Sequence, residues 1–148
     1  MTETIHELLT RYDNTQYATG VGVRRHKLLQ GIVVASDGIH GDAEMVAQIK
    51  SHPELARFFT PNSRAELPIA GVVLGRFISR RIDRLVIDDK TKTVYILDYK
   101  TDIDKDKMRE HYCYKMREYK ELLRQVYTDY NIETYILWLH DWTLQEIK

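Results

Sequence analysis

The sequence is poor in cysteine and in long apolar runs, and each shortage argues against a class of protein. Of its 148 residues only Cys113 is a cysteine, so the chain cannot supply an internal disulfide, a four-cysteine metal site or an iron–sulfur cluster. A single cysteine favours a reducing compartment, and we expect the cytoplasm. No apolar run approaches 18 residues and no charged segment precedes an apolar one at the N-terminus, so we expect neither export nor a membrane span.

The sequence also lacks an excess of charge of either sign. Its 22 lysines and arginines balance 22 aspartates and glutamates, so there is no global positive field of the kind that holds nucleic acid tightly without help. Any contact with nucleic acid must therefore come from a local patch or from a tethered partner.

The length predicts a single domain with a hydrophobic core. We expect residues 1–20 to be a lead-in and residues 21–148 to form the core of the domain. Apolar spacing predicts a helix from Val23 to about Ala35, with His26 facing inward. Residues 36–59 read as a loop and two short helices, with Asp42 as an N-cap and Pro53 in a first helical turn.

The second half alternates between strand and helix patterns. Residues 65–74, 75–88 and 93–100 predict an antiparallel meander, and residues 104–130 predict a helix. The apolar stripe of that helix, which we expect to lie on the sheet, consists of Met108, Tyr112, Met116, Tyr119, Leu123 and Val126. Residues 133–139 and 142–147 predict a final strand pair. The class is α/β, or α+β if the sheet is mainly antiparallel.

Two aspartates interrupt the apolar strands. Asp83 and Asp98 occupy positions where desolvation is costly without a counter-charge, and a hairpin about residues 88–92 would bring them together. Strand alternation places Asp98 and Lys100 on one face and Tyr99 on the other. Converging carboxylates suit Mg²⁺, and a neighbouring lysine can neutralise charge on a phosphate or assist an attacking water. The residues thus outline a site for phosphodiester hydrolysis.

An ordinary structural role is the alternative for each of these residues. Acidic residues at strand ends commonly form surface salt bridges, and an Asp-x-Lys pattern by itself is weak. A histidine on an apolar helical face is commonly a hydrogen-bonded core residue. The order of these residues along the chain favours a catalytic site over a structural role. They are His26, Glu66, Asp83, Asp98, Lys100 and, on the following helix, Tyr119.

The segments that carry this set resemble a known family. "RRHKLLQG", "RAELPIAG", "RRIDRLVIDDKTKTVYILDYKTD" and "YKMREYKELLRQVY" are similar to the C-terminal nuclease domain of the AddA and RecB helicase–nucleases, in the PD-(D/E)XK superfamily. The resemblance covers residues 20–148 and is strongest to the AddA type, including "LARFFTPNSRAELPI". It implies a restriction-endonuclease-like core, with a central mixed β-sheet flanked by α-helices.

The resemblance also implies an activity and a set of site residues. The activity is Mg²⁺-dependent hydrolysis of DNA, with Mn²⁺ as a substitute, in double-strand-break repair or recombination. The sequence leaves exonuclease and endonuclease cleavage open, and we favour the exonuclease. The metal ligands it implies are His26, Asp83, Asp98 and the backbone carbonyl of Tyr99. The catalytic residues it implies are Asp83, Asp98, Lys100 and, at an acidic position that opens the first core strand, Glu66.

The chain departs from the family pattern at two positions. The family helix carries Gln-x-x-x-Tyr, whereas this chain has Lys115 four residues before Tyr119. Arg80 stands three positions before Asp83, where relatives commonly have glycine. We expect Lys115, Tyr119 and Arg80 to contact the substrate, although Lys115 would also be able to compete for the carboxylates and Arg80 to crowd the site.

The expected partners are DNA and a helicase. In the relatives a motor on the same polypeptide feeds DNA to the nuclease, and this sequence contains no G-x-x-x-x-G-K-[ST] phosphate loop. We therefore expect either a nuclease domain that works with a helicase motor or AddB/RecC-like subunit, or a standalone remnant. Two other readings stay open. One is a catalytically silent DNA-binding or helicase-docking module of the same fold, and the other is an unrelated α/β interaction domain whose acid–lysine pairs are structural.

Overall fold

A computed structural model of the chain describes Ile5, residues 20–101 and residues 105–148, apart from the side chains of residues 106–108. The predicted lead-in, except for Ile5 and residue 20, and the predicted packing of Met108 lie outside these residues. In chain order the elements are α1 (which includes residues 20–30), β1 (Val33–Ala35), β2 (Gly38–His40), α2 (Ala43–Ser51), a 3-10 helix (Pro53–Phe58), β3 (Ser63–Val73), β4 (Arg76–Asp88), β5 (Thr93–Lys100), α3 (Lys105–Arg124), β6 (Asn131–Trp138) and β7 (Thr143–Ile147).

A mixed five-stranded sheet forms the centre of the fold. Its strand order is β3-β4-β5-β6-β7, and all neighbours are antiparallel except β5 and β6, which run parallel. Since parallel neighbours need a long crossover, α3 follows β5 and returns the chain to the start of β6. The α/β class and the antiparallel meander of β3, β4 and β5 are confirmed. Among the described residues no helix is both long and apolar enough to span a membrane.

Both faces of the sheet are covered by buried side chains. On one face the core contains Leu29, Ile32, Phe58, Leu97, Tyr99 and Leu137, contributed by α1 and its C-terminal end, the 3-10 helix and the sheet. On the other face α3 contributes Tyr112, Met116, Tyr119 and Leu123, packed on Ile82, Ile96 and Ile136. The predicted stripe of α3 is confirmed at these four positions. It is wrong at Val126, which lies beyond the end of the helix and is exposed.

The helix predicted to reach Ala35 is too long. α1 ends at residue 30, and Val33–Ala35 instead pairs with Gly38–His40 as a small hairpin. The reason is local, because the β-branched run that follows Gly31 favours extended backbone. Val23, placed in the same stripe, is exposed. The N-cap is confirmed, since Asp42 accepts a hydrogen bond of 3.1 Å from the N–H of Met45.

The β3–β4 hairpin extends past the rest of the sheet. β4 pairs with β5 only from Arg84 to Asp88, whereas it pairs with β3 as far as Arg76. Residues 67–82 therefore form a two-stranded arm that lies beyond β5. The tip is a tight turn at Leu74 and Gly75, which have φ angles of 51° and 74°, as expected for a two-residue hairpin loop.

Arg84 joins three elements behind the sheet. Its side chain is 1% exposed and donates hydrogen bonds to the carbonyl of Ile32, the hydroxyl of Ser63 and the hydroxyl of Tyr99. Its guanidinium lies 4.5 Å from the ring centroid of Phe59. No carboxylate among the described residues forms an ion pair with it. Arg84 thus fixes the chain after α1 and the start of β3 to the strand that carries the central Asp-Tyr-Lys sequence.

We predict that Arg84→Lys lowers the free energy of unfolding by about 1–3 kcal/mol, because one ammonium cannot reach three acceptors held in a guanidinium's geometry. Urea unfolding measures it. The control is Arg81→Lys, whose side chain is 67% exposed and which should change stability by less than about 0.5 kcal/mol. Equal effects of the two substitutions would contradict this role for Arg84.

Candidate active site

The candidate site lies where β4 and β5 separate. Pairing between these strands stops at Arg84 and Leu97, and the next residue of β4, Asp83, contacts β5 with its side chain. Its Oδ2 accepts the backbone N–H of Tyr99 at 2.8 Å. A carboxylate therefore replaces the backbone acceptor that a continued ladder would supply, which fixes the Asp83 side chain at the point of separation.

Asp98 and Lys100 lie on the α3 face of β5. Lys100 Nζ is 2.6 Å from Asp98 Oδ2 and 4.5 Å from the ring centroid of Tyr112 on α3. Tyr99, between them, is buried on the opposite face. The alternation predicted from the sequence is confirmed, so the acid and the base share one side of the strand.

The two aspartates form one electrostatic unit. Burial, followed by the charge of Asp83 and a hydrogen bond to it, raises the pKa of Asp98 to about 7. Burial acts in the same direction on Asp83, but hydrogen bonds from His26, Asp98 and the N–H of Tyr99 outweigh it and hold the pKa of Asp83 below its usual value. Burial beside Asp83 therefore favours the protonated form of Asp98, whereas the hydrogen bonds to Asp83 favour its charged form.

His26 reaches the pair from α1. Its Nε2 lies 3.2 Å from Asp83 Oδ2, and its ring packs edge-on against Tyr99 with centroids 5.5 Å apart. The hydrogen bond to Asp83 raises the pKa of His26. The predicted inward orientation is confirmed, and the imidazole is held where its positive form is favoured.

Glu66 lies opposite Asp83 on β3, but the two residues are not paired in the ladder. Their neighbours on both sides are paired across β3 and β4, whereas the two residues themselves are not. Glu66 has a φ of 54°, a left-handed conformation that is costly without glycine. Its Oε2 is 3.6 Å from a nitrogen of Arg81, and its buried Oε1 has no hydrogen-bond partner among the described residues.

The three predicted substrate-contacting residues have different surroundings. Tyr119 is buried on α3, and burial together with the charges of Asp98 and Asp83 raises the pKa of its hydroxyl, which places it next to the site. Arg80 is partly exposed and 3.5 Å from Glu118. Lys115 is half-buried, with no hydrogen bond or ion pair among the described residues.

Two structurally important residues were missed by reasoning from the sequence. Arg84 is a second charge in an apolar strand, directly after Asp83, and this adjacency was the available signal. Glu118 is buried next to Tyr119 and contacts two arginines of the arm. Its signal was weaker, because acidic residues beside an apolar helical stripe are usually solvated.

The donor set fits a hard divalent cation. Two buried carboxylates, a nearby imidazole and the backbone carbonyl of Tyr99 are predominantly oxygen ligands, as Mg²⁺ prefers. The negative charge of Asp83 disfavours the charged form of Asp98, and a bound cation would relieve this repulsion. As the side chains are placed, Lys100 and His26 hold these oxygens, and no group of three or more His, Cys, Asp or Glu side chains in the described ranges is spaced to bind a metal.

Comparison with known proteins adds no family assignment. No family model matches the chain, and no curated protein matches it.

We predict that Asp98→Asn removes a pH dependence of stability. Burial raises the pKa of Asp98 from its ordinary 3.8 to about 7 in the folded chain, so the folded state binds more protons between these values and stability falls as pH rises through them. Between pH 5 and pH 8, the unfolding free energy of the wild-type protein should fall by about 2–3 kcal/mol more than that of the variant. Urea unfolding at both pH values measures it, and parallel losses in the two proteins would contradict the assignment.

Proposed function

We propose that the chain is a Mg²⁺-dependent DNA nuclease of the AddA/RecB type, built on a PD-(D/E)XK core. The observation that carries the proposal is the buried pair Asp83 and Asp98, with Lys100 2.6 Å from Asp98. Burying two acids side by side costs free energy, and such perturbed groups concentrate at functional sites. The mixed sheet, with a hairpin before the Asp-Tyr-Lys strand and a crossover helix after it, is compatible with this core.

Each site residue has a role that follows from its position. Asp83, Asp98, His26 and the carbonyl of Tyr99 would hold the cation. When bound, Mg²⁺ or Mn²⁺ supplies Lewis-acid polarisation of the phosphate and lowers the pKa of water. Lys100 is placed to neutralise negative charge that develops on the phosphate.

The neighbouring residues support the same site. As a ligand, Asp98 would be charged, because a bound cation lowers the pKa of this carboxyl well below its value of about 7 in the metal-free chain. Glu66 lies on β3 opposite Asp83, and its buried Oε1 has no hydrogen-bond partner among the described residues, so this oxygen can still accept a hydrogen bond. Tyr119 borders the carboxylates from α3.

The cellular role follows from the resemblance. We place the protein in the cytoplasm, acting on single-stranded DNA or duplex ends in double-strand-break repair or recombination, as an exonuclease. The balanced charge of the chain, 22 basic against 22 acidic residues, favours delivery of DNA by a helicase motor or an AddB/RecC-like subunit over tight independent binding.

A catalytically silent module of the same fold is the second candidate. The observation that favours it is that Lys100 and His26 already contact the two carboxylates, so the acids are neutralised by side chains as placed. In that case the chain would bind DNA or dock on a helicase without turnover, and the departures at Arg80 and Lys115 would be tolerated.

We predict that the purified chain degrades labelled linear DNA with Mg²⁺ or Mn²⁺ but not with EDTA, and that Lys100→Ala lowers the rate at least about 100-fold. Single- and double-stranded substrates are compared by gel electrophoresis. The matched control is Lys90→Ala, which removes an equal charge from the exposed β4–β5 turn and should leave cleavage unchanged. Folded wild-type protein that cuts neither substrate with either metal would favour the silent module.

A further inference from the structure

One buried acid of α3 joins two arginines of the β3–β4 arm. Arg76 and Arg80 lie on β4, four residues or about 13 Å of extended strand apart, and strand alternation places them on one face. Glu118 has a side chain that is 6% exposed. Its Oε1 is 2.7 Å from Arg76 Nη2 and its Oε2 is 3.5 Å from Arg80 Nη2. The three side chains therefore form a cluster with two positive charges and one negative charge.

The two contacts of Glu118 differ in strength. Arg76 donates one hydrogen bond to Oε1 and another to the hydroxyl of Tyr114, so it is held from two sides. Oε2 is buried and accepts no hydrogen bond among the described residues, and Arg80 approaches it only as an ion pair. A buried carboxylate oxygen without a hydrogen bond is costly. It therefore attracts the Arg80 guanidinium but leaves most of the N–H donors of that group for another acceptor.

Arg80 lies beside the candidate active site. Burial raises the pKa of the Tyr119 hydroxyl, the charges of Asp98 and Asp83 raise it further, and the charge of Arg80 lowers it. Because such interactions weaken with distance, the guanidinium and the two carboxylates lie around the same hydroxyl. Arg80 faces α3, as Asp98 and Lys100 do, so it is a second cation on the side of the sheet where the site lies.

Glu118 also keeps Arg80 from neutralising the aspartates. Among the described residues Arg80 forms its one ion pair with Glu118, and neither Asp83 nor Asp98 pairs with it. Its side chain is 41% exposed, so the guanidinium is open to solvent on the side away from Glu118. The carboxylate thus holds the cation next to the two aspartates without placing it between them.

We propose that Glu118 is a positioning residue, which holds Arg80 where its guanidinium binds a substrate phosphate next to the one that reacts. A guanidinium presents five N–H donors in a planar fork, so one edge can pair with a carboxylate while another donates to a phosphate. The inference rests on the proposed nuclease function for the identity of the substrate. The dependence of Arg80 on Glu118 is measurable by binding alone.

The first test is the kinetics of cleavage of a fluorescein-labelled 12-nucleotide oligo(dT) with Mg²⁺. Arg80→Ala should raise KM about five- to tenfold and change kcat less than about twofold, because a contact away from the reacting phosphate binds ground and transition states alike. Glu118→Gln keeps the shape of the side chain and should raise KM about three- to fivefold. Charge alone predicts the opposite sign, since loss of an acid favours binding of a polyanion.

Two further variants separate positioning from a structural role. The Arg80→Ala/Glu118→Gln double variant should have the KM of Arg80→Ala, because a residue that acts through Arg80 has no effect once Arg80 is removed. The matched control is Glu121→Gln, on the same helix, whose carboxylate also pairs with an arginine, Arg124 at 2.6 Å. It should not raise KM. Circular dichroism checks that each variant is folded.

The second test is binding of the same oligonucleotide in EDTA, measured by anisotropy at several salt concentrations. The affinities should fall in the same order, and Arg80→Ala should reduce the slope of log affinity against log salt by about 0.7. Cleavage with an unchanged KM in Arg80→Ala, or additive effects in the double variant, would overturn the positioning role and leave the nuclease intact. Binding without cleavage would contradict the nuclease, and the affinities would then decide the role of Glu118. Absence of binding and of cleavage would overturn both.

Discussion

The hydrogen bond from the N–H of Tyr99 to the carboxylate of Asp83 is the contact on which the rest of the site depends. It takes the place of a backbone bond between β4 and β5, so the two strands separate at Asp83. Because they separate, β4 continues with β3 as a free arm, and the end of β5 that carries Asp98 and Lys100 pairs with β6 alone. The hydrogen bond at this one aspartate thus marks the point where the arm diverges from β5.

Each buried acid near this contact has a cationic or hydrogen-bonding neighbour. Asp83 is held by His26 and by the N–H of Tyr99, and Asp98 is held by Lys100, while burial beside Asp83 raises the pKa of Asp98. Behind the sheet the buried guanidinium of Arg84 bonds to the hydroxyl of Tyr99. Cationic side chains thus lie on both sides of the acids and offset the cost of burying them.

Much of this arrangement follows from patterns that are local in sequence. Because side chains alternate between the two faces of a strand, the sequence predicted that Asp98 and Lys100 share one face of β5. The polar turn after Asp88 predicted the hairpin that brings the aspartates together. Local patterns could not show the parallel pairing of β5 with β6, which depends on where α3 returns the chain. Nor could they show the left-handed backbone of Glu66, because no glycine marks it. The partner of Glu118 was equally hidden, since it lies about 40 residues away on the arm.

Proton release on Mn²⁺ binding tests the central claim most directly. Calorimetric titrations in two buffers of different ionisation enthalpy count the protons released per ion. Because Asp98 has a pKa of about 7, saturable binding at pH 6 should release about one proton or more. At pH 8.5 almost none should be released, and Asp83→Asn should abolish binding at both pH values. Absence of binding, or binding with equal proton release at both pH values, would contradict a cation site built on the paired aspartates.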